Sequence, residues 1–270
     1  MIRVWKSEIR KLLRPRFIIS NFAVVIILQL SLTVTMMLKA KGDIVQDLNK
    51  ASGLFMGTKT IAAFLGIISF CLFAANFAQE YNNGTLKNLL VRQPNRTILI
   101  LGKLLAQITF VAVMITTVAL LSGLTEFGLA YKGHINTGKW NFLSVDFLVP
   151  LGNVLLASFA YGALGAALAV ILRSSITSIS AGLVWLLVIE TLFGFFGKSF
   201  SKWLPGGNLA NFADGGSKDL SYLHSASITS GYAFVAIAIL LLIFNLRDVR
   251  SEEHTSELQS RLHLVCRLLL

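Results

Sequence analysis

Long apolar blocks separated by short polar segments dominate the chain. Each block has few or no charged residues and about the 20 residues that an α-helix needs to cross a hydrocarbon layer of about 30 Å. The blocks occupy residues 17–38, 60–79, 104–125, 147–172, 174–197 and 228–246. Apolar and polar residues do not alternate with the period of two that a transmembrane β-strand requires. The pattern therefore predicts an all-α, polytopic membrane protein with six transmembrane helices.

The composition agrees with this prediction. Hydrophobic residues make up 55% of the 270 residues and charged residues only 14%, so the chain is more apolar than a soluble core of this size needs. The formal net charge of +11 would suggest nucleic acid as the partner of a soluble protein. Here the basic residues flank the apolar blocks, which indicates membrane lipid headgroups, and not nucleic acid, as their partners.

The charges also predict an orientation. The segments before the first block and after the second, fourth and sixth blocks hold twelve basic and three acidic residues, against nine basic and six acidic residues in the other loops. The excess of basic residues places both termini in the cytoplasm. A basic start before an apolar run also describes a secretory signal. This run is too long and lacks an A-x-A-like cleavage site, so we interpret it as an uncleaved first span.

Residues 1–16 form a separate amphipathic element. One helical face carries apolar residues and the opposite face basic ones, and Pro15 ends the helix. The apolar face comprises Ile2, Trp5, Ile9, Leu12 and Leu13, and the basic face comprises Arg3, Lys6, Arg10 and Lys11. Such a helix is expected to lie in the headgroup region of the membrane.

The last residues, 250–270, have a different character. They begin RSEEHTSELQS, which resembles the translation of a sequencing-library adapter. We interpret residues 250–270 as a non-native tail and residues 17–249 as the six-span domain. The alternative is a genuine amphipathic tail.

The segment 80–103, between the second and third blocks, is the most informative part of the sequence. Gly84 breaks the incoming helix, Thr85 caps a new short helix, Pro94 ends it, and Asn95 caps the next one. The apolar face of the short helix carries Leu86, Leu89 and Leu90, opposite Lys87, Asn88 and Arg92. A helix this short is marginal alone, so its leucine face needs a membrane surface or a partner. From the residues alone, a solvated basic loop is the alternative.

The residues of this loop resemble a known family. The series Glu80, Gly84, Thr85, Leu86, Pro94, Arg96 and Lys103 is similar to the cytoplasmic motif of ABC-2 type transporter permeases, a bacterial export family with six spans per subunit. Weaker similarities lie at Leu204-Pro205 and Arg247-Asp248.

The resemblance implies a function and partners. It implies a permease subunit of an ATP-driven exporter in the bacterial plasma membrane, with the short cytoplasmic helix as the coupling helix that docks on an ABC ATPase. It further implies a second permease copy or a related permease. ATP and Mg²⁺ would be bound by the ATPase, and this chain would hold no cofactor. The implied coupling residues are Glu80, Gly84, Thr85, Leu86, Leu89, Leu90, Arg96 and Lys103.

The remaining motifs do not indicate an enzyme. Gly197-Lys198-Ser199 resembles the end of a phosphate-binding loop, but Leu192 stands where its first glycine should be. His134 and His224 are isolated, without metal-ligand spacing. We therefore expect ATP hydrolysis in a separate subunit.

Two features of the predicted spans remain open to alternatives. Glu190 is the only acid within a predicted span. A charged side chain at mid-membrane costs about 3 kcal/mol. Glu190 is therefore either a structural group or part of a substrate path. The small residues Gly162, Gly165, Ala166 and Ala169 allow close helix packing, within the chain or across a dimer.

A secondary transporter or channel without an ATPase is the alternative function. A lipid, a peptide antibiotic, a drug or an ion is each compatible with a mostly apolar path.

Overall fold

The computed structural model describes residues 1–39, 50–84, 89, 91, 95–132, 137–138, 140–196, 202–216 and 220–246. This part of the chain is helical and contains no strand. The helices are α1 (Ile2–Leu12), α2 (Pro15–Lys39), α3 (Met56–Asn82), α4 (Arg96–Lys132), α5 (Val145–Leu172), α6 (Ser175–Leu183), α7 (Glu190–Phe196), α8 (Pro205–Ala213) and α9 (Tyr222–Leu246). A 3₁₀ turn, Ala51–Phe55, precedes α3, and a π-helical segment, Val184–Ile189, joins α6 to α7.

Among the described residues, six helices are long and apolar enough to cross a membrane, as the sequence predicts. They are Pro15–Thr35, Ser52–Asn82, Arg96–Tyr131, Val145–Leu172, Ser175–Gly194 and Tyr222–Leu246. The fourth and fifth spans form a tight hairpin, because only residue 173 lies between the two predicted blocks and α6 begins at Ser175. Arg173 turns the chain in the left-handed region (φ 54°), and the Ser174 hydroxyl accepts a hydrogen bond from the Thr177 amide at the start of α6.

The helix bounds differ most for the third span. The sequence predicts residues 104–125, whereas α4 extends from Arg96 to Lys132. A span predicted from hydropathy ends at the first charged residue. Lys103 and Glu126 both have polar partners inside the bundle, so the helix continues past each of them. As a result Glu190 is not the only acid in a span, since Glu126 lies in the third.

The amphipathic helix at the N-terminus is present, and Pro15 separates it from α2 as predicted. Trp5, Ile9 and Leu12 of the predicted apolar face pack on the bundle, whereas Ile2 and Leu13 are 69% and 53% exposed. Val4 and Glu8 are also buried. Val4 and Glu8 face inward because α1 lies on α4, where Gly102 leaves space for Val4, and because Lys11 pairs with Glu8. Whether this helix lies at a membrane surface stays a prediction.

Helix α3 is central and packs most extensively on α5. Small residues bring the two helices together, because a Cβ at Gly165 would lie 2.4 Å from the Phe70 carbonyl oxygen, and one at Gly162 would lie 2.8 Å from the Phe73 ring. The small residues of the fourth span therefore serve packing within the chain.

This contact generates a stability prediction. Gly165→Ala places a methyl group against a backbone carbonyl that cannot move aside, and overpacking of this kind typically costs about 1–3 kcal/mol. We expect a lower midpoint of thermal unfolding for the variant in detergent. Gly152→Ala, in the same helix but with open space around the added Cβ, is the matched control. Equal midpoints for the two variants would contradict the packing described here.

Candidate functional site

Four charged side chains meet at one end of the bundle, where α1, α3 and α4 come together. The Lys103 ammonium lies 2.8 Å from Glu80 Oε1, and the Lys11 ammonium lies 3.4 Å from the same oxygen. Lys11 also pairs with Glu8 Oε1 at 2.5 Å. Two acids and two bases thus balance one another in a chain of contacts that we call the charge cluster. We call this end of the bundle the basic end.

Three members of the charge cluster, Glu8, Glu80 and Lys103, are largely removed from solvent, whereas Lys11 is about half exposed. Glu80 is 9% exposed and Lys103 is 5% exposed, and the Lys103 ammonium also lies 5.0 Å from the centre of the Phe77 ring. Burial by itself lowers the pKa of Lys11, but the hydrogen bond and charge of Glu8, with those of Glu80, outweigh it and raise the pKa above its ordinary value. Lys11 therefore remains a cation at neutral pH.

This placement corrects an expectation from the sequence. Glu80 and Lys103 were assigned to the loop between two spans, yet both lie in helices, near the end of α3 and within the second turn of α4. Opposite charges that pair can enter the bundle, because the attraction between them offsets much of the cost of removing both from water. Neither side chain is presented on the surface.

The two ends of the loop between α3 and α4 are capped as predicted. Gly84 has φ +62°, the left-handed conformation that ends many helices, and its amide donates to the Tyr81 carbonyl. Asn95 caps α4, with its side-chain oxygen accepting from the Ile98 amide at 3.2 Å. Leu89 is half-buried and packs against the bundle. Thr85, Leu86 and Leu90 lie outside the described residues, as does most of the predicted short helix.

Two side chains, those of Arg96 and Asn82, tie these loop ends to other helices through three hydrogen bonds. The Arg96 guanidinium donates to the carbonyls of Phe244 and Asn245, at 3.2 and 3.3 Å, at the C-terminal end of α9. Carbonyls in the last turn of a helix have no amide donor within the helix, and they carry the partial negative charge of the helix dipole. A cation is therefore favourable at this position. The Asn82 amide donates to the Ser175 hydroxyl at 2.8 Å, at the start of α6. The sequence did not predict either contact.

A cavity of about 770 Å³ opens beside the charge cluster, and we call it the basic cavity. It lies between α1, the first turns of α2 and the end of α3. Its lining comprises Glu8, Lys11, Leu12, Arg14, Arg16, Phe17, Ser20, Asn76, Gln79, Glu80, Asn83, Leu89 and Lys103.

Glu190 lies at the opposite end of the bundle and is 8% exposed. Its carboxylate accepts two hydrogen bonds, from the Gly206 amide at 2.9 Å and from the Gly207 amide at 3.1 Å, at the N-terminus of α8. The Tyr161 hydroxyl donates to the Gly206 carbonyl at 3.1 Å. Free amides and the helix dipole stabilise an anion at this position.

Glu126 is a further buried acid, and it lies just beyond residue 125, the predicted end of the third span. It is 3% exposed, and its Oε1 accepts from the Gly57 amide at the N-terminus of α3 and from the Ser122 hydroxyl. The sequence did contain a signal for it, because Phe127, Leu129 and Ala130 continue the apolar pattern beyond the predicted end of the span.

The described helices define the class of the molecule as a multi-pass α-helical membrane protein. A model of the ABC-2 family transporter protein matches residues 2–230, so the chain belongs to the ABC-2 transporter family, as its loop motif suggested. It is a membrane subunit of the permease type, and members of this family work in general with an ABC ATPase. No curated protein matches the chain significantly.

The charge cluster yields a prediction about stability. Lys103→Gln leaves the Glu80 carboxylate buried with only the more distant Lys11, and breaking a buried pair in this way costs about 3–5 kcal/mol. The double variant Glu80→Gln/Lys103→Gln should recover part of this loss in stability, because it removes both charges and leaves neither buried without its partner. Thermal unfolding in detergent measures both, with Lys6→Gln, at an exposed position of α1, as the control. Additive losses in the double variant would refute the pairing.

Glu190 yields a second prediction. Glu190→Gln replaces one accepting oxygen by an NH₂ group that faces an amide donor, and a buried group left unpaired costs about 1–3 kcal/mol. We expect a lower unfolding midpoint than for Gly194→Ala, a change at an open position of the neighbouring turn. An unchanged midpoint for Glu190→Gln would show that the carboxylate does not hold α8.

Proposed function

We propose that this chain is the permease subunit of an ATP-driven exporter, and that the loop between α3 and α4 transmits the state of a separate ABC ATPase to the spans. Family membership supports the transporter class. The observation that carries the coupling role is the buried ion pair between Glu80 and Lys103, because it joins the two ends of this loop to each other.

The polar contacts at the basic end support transmission. Lys11 connects α1 to the same carboxylate, Arg96 connects the start of α4 to the end of α9, and Asn82 connects the end of α3 to the start of α6. A force applied to the loop would therefore reach most of the spans through these contacts. The Glu80–Lys103 pair among them is buried, and in that low-dielectric environment it is stronger than in water.

In this proposal the residues divide into two groups. Leu86 and Leu90, outside the described residues, are the proposed contacts with the ATPase. Glu80, Arg96 and Lys103 are positioning residues, since their side chains point into the bundle contacts described above and hold the loop. Gly84 provides the backbone turn that lets the chain leave α3.

The complete transporter would contain two permease chains and two ATPase chains. The permease chains would be two copies of this subunit or this subunit with a related one. ATP and Mg²⁺ would be held by the ATPase chains, with both termini of the permease on the same cytoplasmic side of the bacterial plasma membrane.

The test uses the chain co-expressed with its proposed partner, an ABC ATPase. Glu80→Gln should still co-purify with the ATPase, because the loop surface is unchanged, but ATP turnover of the complex should lose its dependence on the permease. Gly84→Val should weaken co-purification itself, because a β-branched residue at φ +62° is strained. Gly84→Asn, which tolerates this conformation, is the matched control.

The outcome that refutes the coupling role is wild-type co-purification and wild-type turnover for both Glu80→Gln and Gly84→Val. A chain that transports without any ATPase would instead support a secondary transporter.

A further inference from the structure

The basic cavity contains two arginines that the charge cluster does not neutralise. Lys11 and Lys103 are paired with Glu8 and Glu80. Arg14 and Arg16 also line the cavity and are exposed. Within the described part of the chain, neither guanidinium has a hydrogen-bond or ion-pair partner. The cavity therefore carries an uncompensated positive charge on one of its walls.

The position of these arginines relates the cavity to the membrane. They flank Pro15, the first residue of α2, where the first candidate span begins. Phe17 and Leu12 form an apolar part of the cavity wall. Beyond the cavity, α2 continues with an outer face of exposed apolar side chains, formed by Ile19, Val24, Ile27, Leu30 and Val34. A charged recess thus adjoins an apolar helix face that runs along the membrane.

We propose that the basic cavity binds the headgroup of an anionic phospholipid, with its phosphate held by Arg14 and Arg16 and its acyl chains along α2. A guanidinium binds phosphate oxygens through two parallel hydrogen bonds, which gives both strength and geometry. The cavity also lies at the N-terminus of the 25-residue helix α2, where the helix dipole favours an anion.

The size and lining of the cavity favour a lipid over free phosphate. A volume of about 770 Å³ is in the range of cavities that hold whole small molecules and exceeds what a phosphate group alone needs. The apolar residues beside the arginines match glycerol and the upper acyl carbons. A bound lipid would connect α1, α2 and α3 next to the charge cluster. This proposal does not rest on the exporter function and holds for any function of the chain.

The experiment counts lipids bound to the purified full-length chain by native mass spectrometry. Dioctanoyl phosphatidylglycerol and dioctanoyl phosphatidylcholine are titrated separately, and inorganic phosphate is added as a competitor. For the wild-type chain we expect one phosphatidylglycerol retained in preference to phosphatidylcholine. In Arg14→Gln/Arg16→Gln we expect its apparent affinity to fall at least about tenfold, the effect of losing about 1.4 kcal/mol of binding free energy.

The matched control removes the same charge elsewhere. Arg3→Gln/Arg10→Gln neutralises two exposed arginines of α1 that do not line the cavity, and it should retain the lipid. An equal loss of lipid in both double variants would overturn the proposal in favour of general attraction to a basic surface. Displacement of the lipid by millimolar phosphate would assign the cavity to a free anion and would also overturn it.

A second variant covers the case in which the arginine variant does not fold. Ser20→Glu introduces an anion on the exposed cavity wall without removing an arginine. It should weaken binding of phosphatidylglycerol and leave binding of phosphatidylcholine unchanged. Retention of phosphatidylglycerol at wild-type affinity would contradict a headgroup in this cavity.

Discussion

The basic end of this bundle depends on one constraint, which is that a charge leaving water must have a partner. Glu80 and Lys103 meet it by pairing with each other at 2.8 Å, and Lys11 and Glu8 extend the pair to α1. A pair of this kind adds little net stability compared with apolar residues, but losing one partner is costly. The arrangement therefore specifies which helices meet, and it joins the two ends of the loop that the family motif singles out.

The same constraint acts at the opposite end through helix N-termini. Glu126 accepts from the amide of Gly57 in α3, and Glu190 accepts from the amide of Gly206 in α8. In both cases the glycine is the second residue of the helix. A Cβ atom at Gly57 would lie 2.7 Å from Glu126 Oε1, and one at Gly206 would lie 2.6 Å from Glu190 Oε2. Glycine is thus needed so that each acid can reach a helix end. The shared geometry supports a structural role for both acids.

Close packing of α3 on α5 connects the two ends. Because Gly165 lets α5 approach the Phe70 carbonyl of α3, the two helices cannot slide past one another easily. Helix α3 carries Glu80 near one end and Gly57 near the other. A displacement of the loop between α3 and α4 would therefore be felt at both ends of α3, which is what a coupling element of an ATP-driven transporter requires.

The sequence by itself determined the class, the number of spans, the breaks at Gly84, Pro15 and Arg173, and the family. These follow from local rules, since hydrophobic length, helix caps and a motif are properties of neighbouring residues. Only the tertiary structure decided that Glu80 and Lys103 are buried, and that α8 forms from a Pro-Gly-Gly start to meet Glu190. Each of these depends on a partner more than fifteen residues away, and hydropathy along the chain contains no information about such a partner.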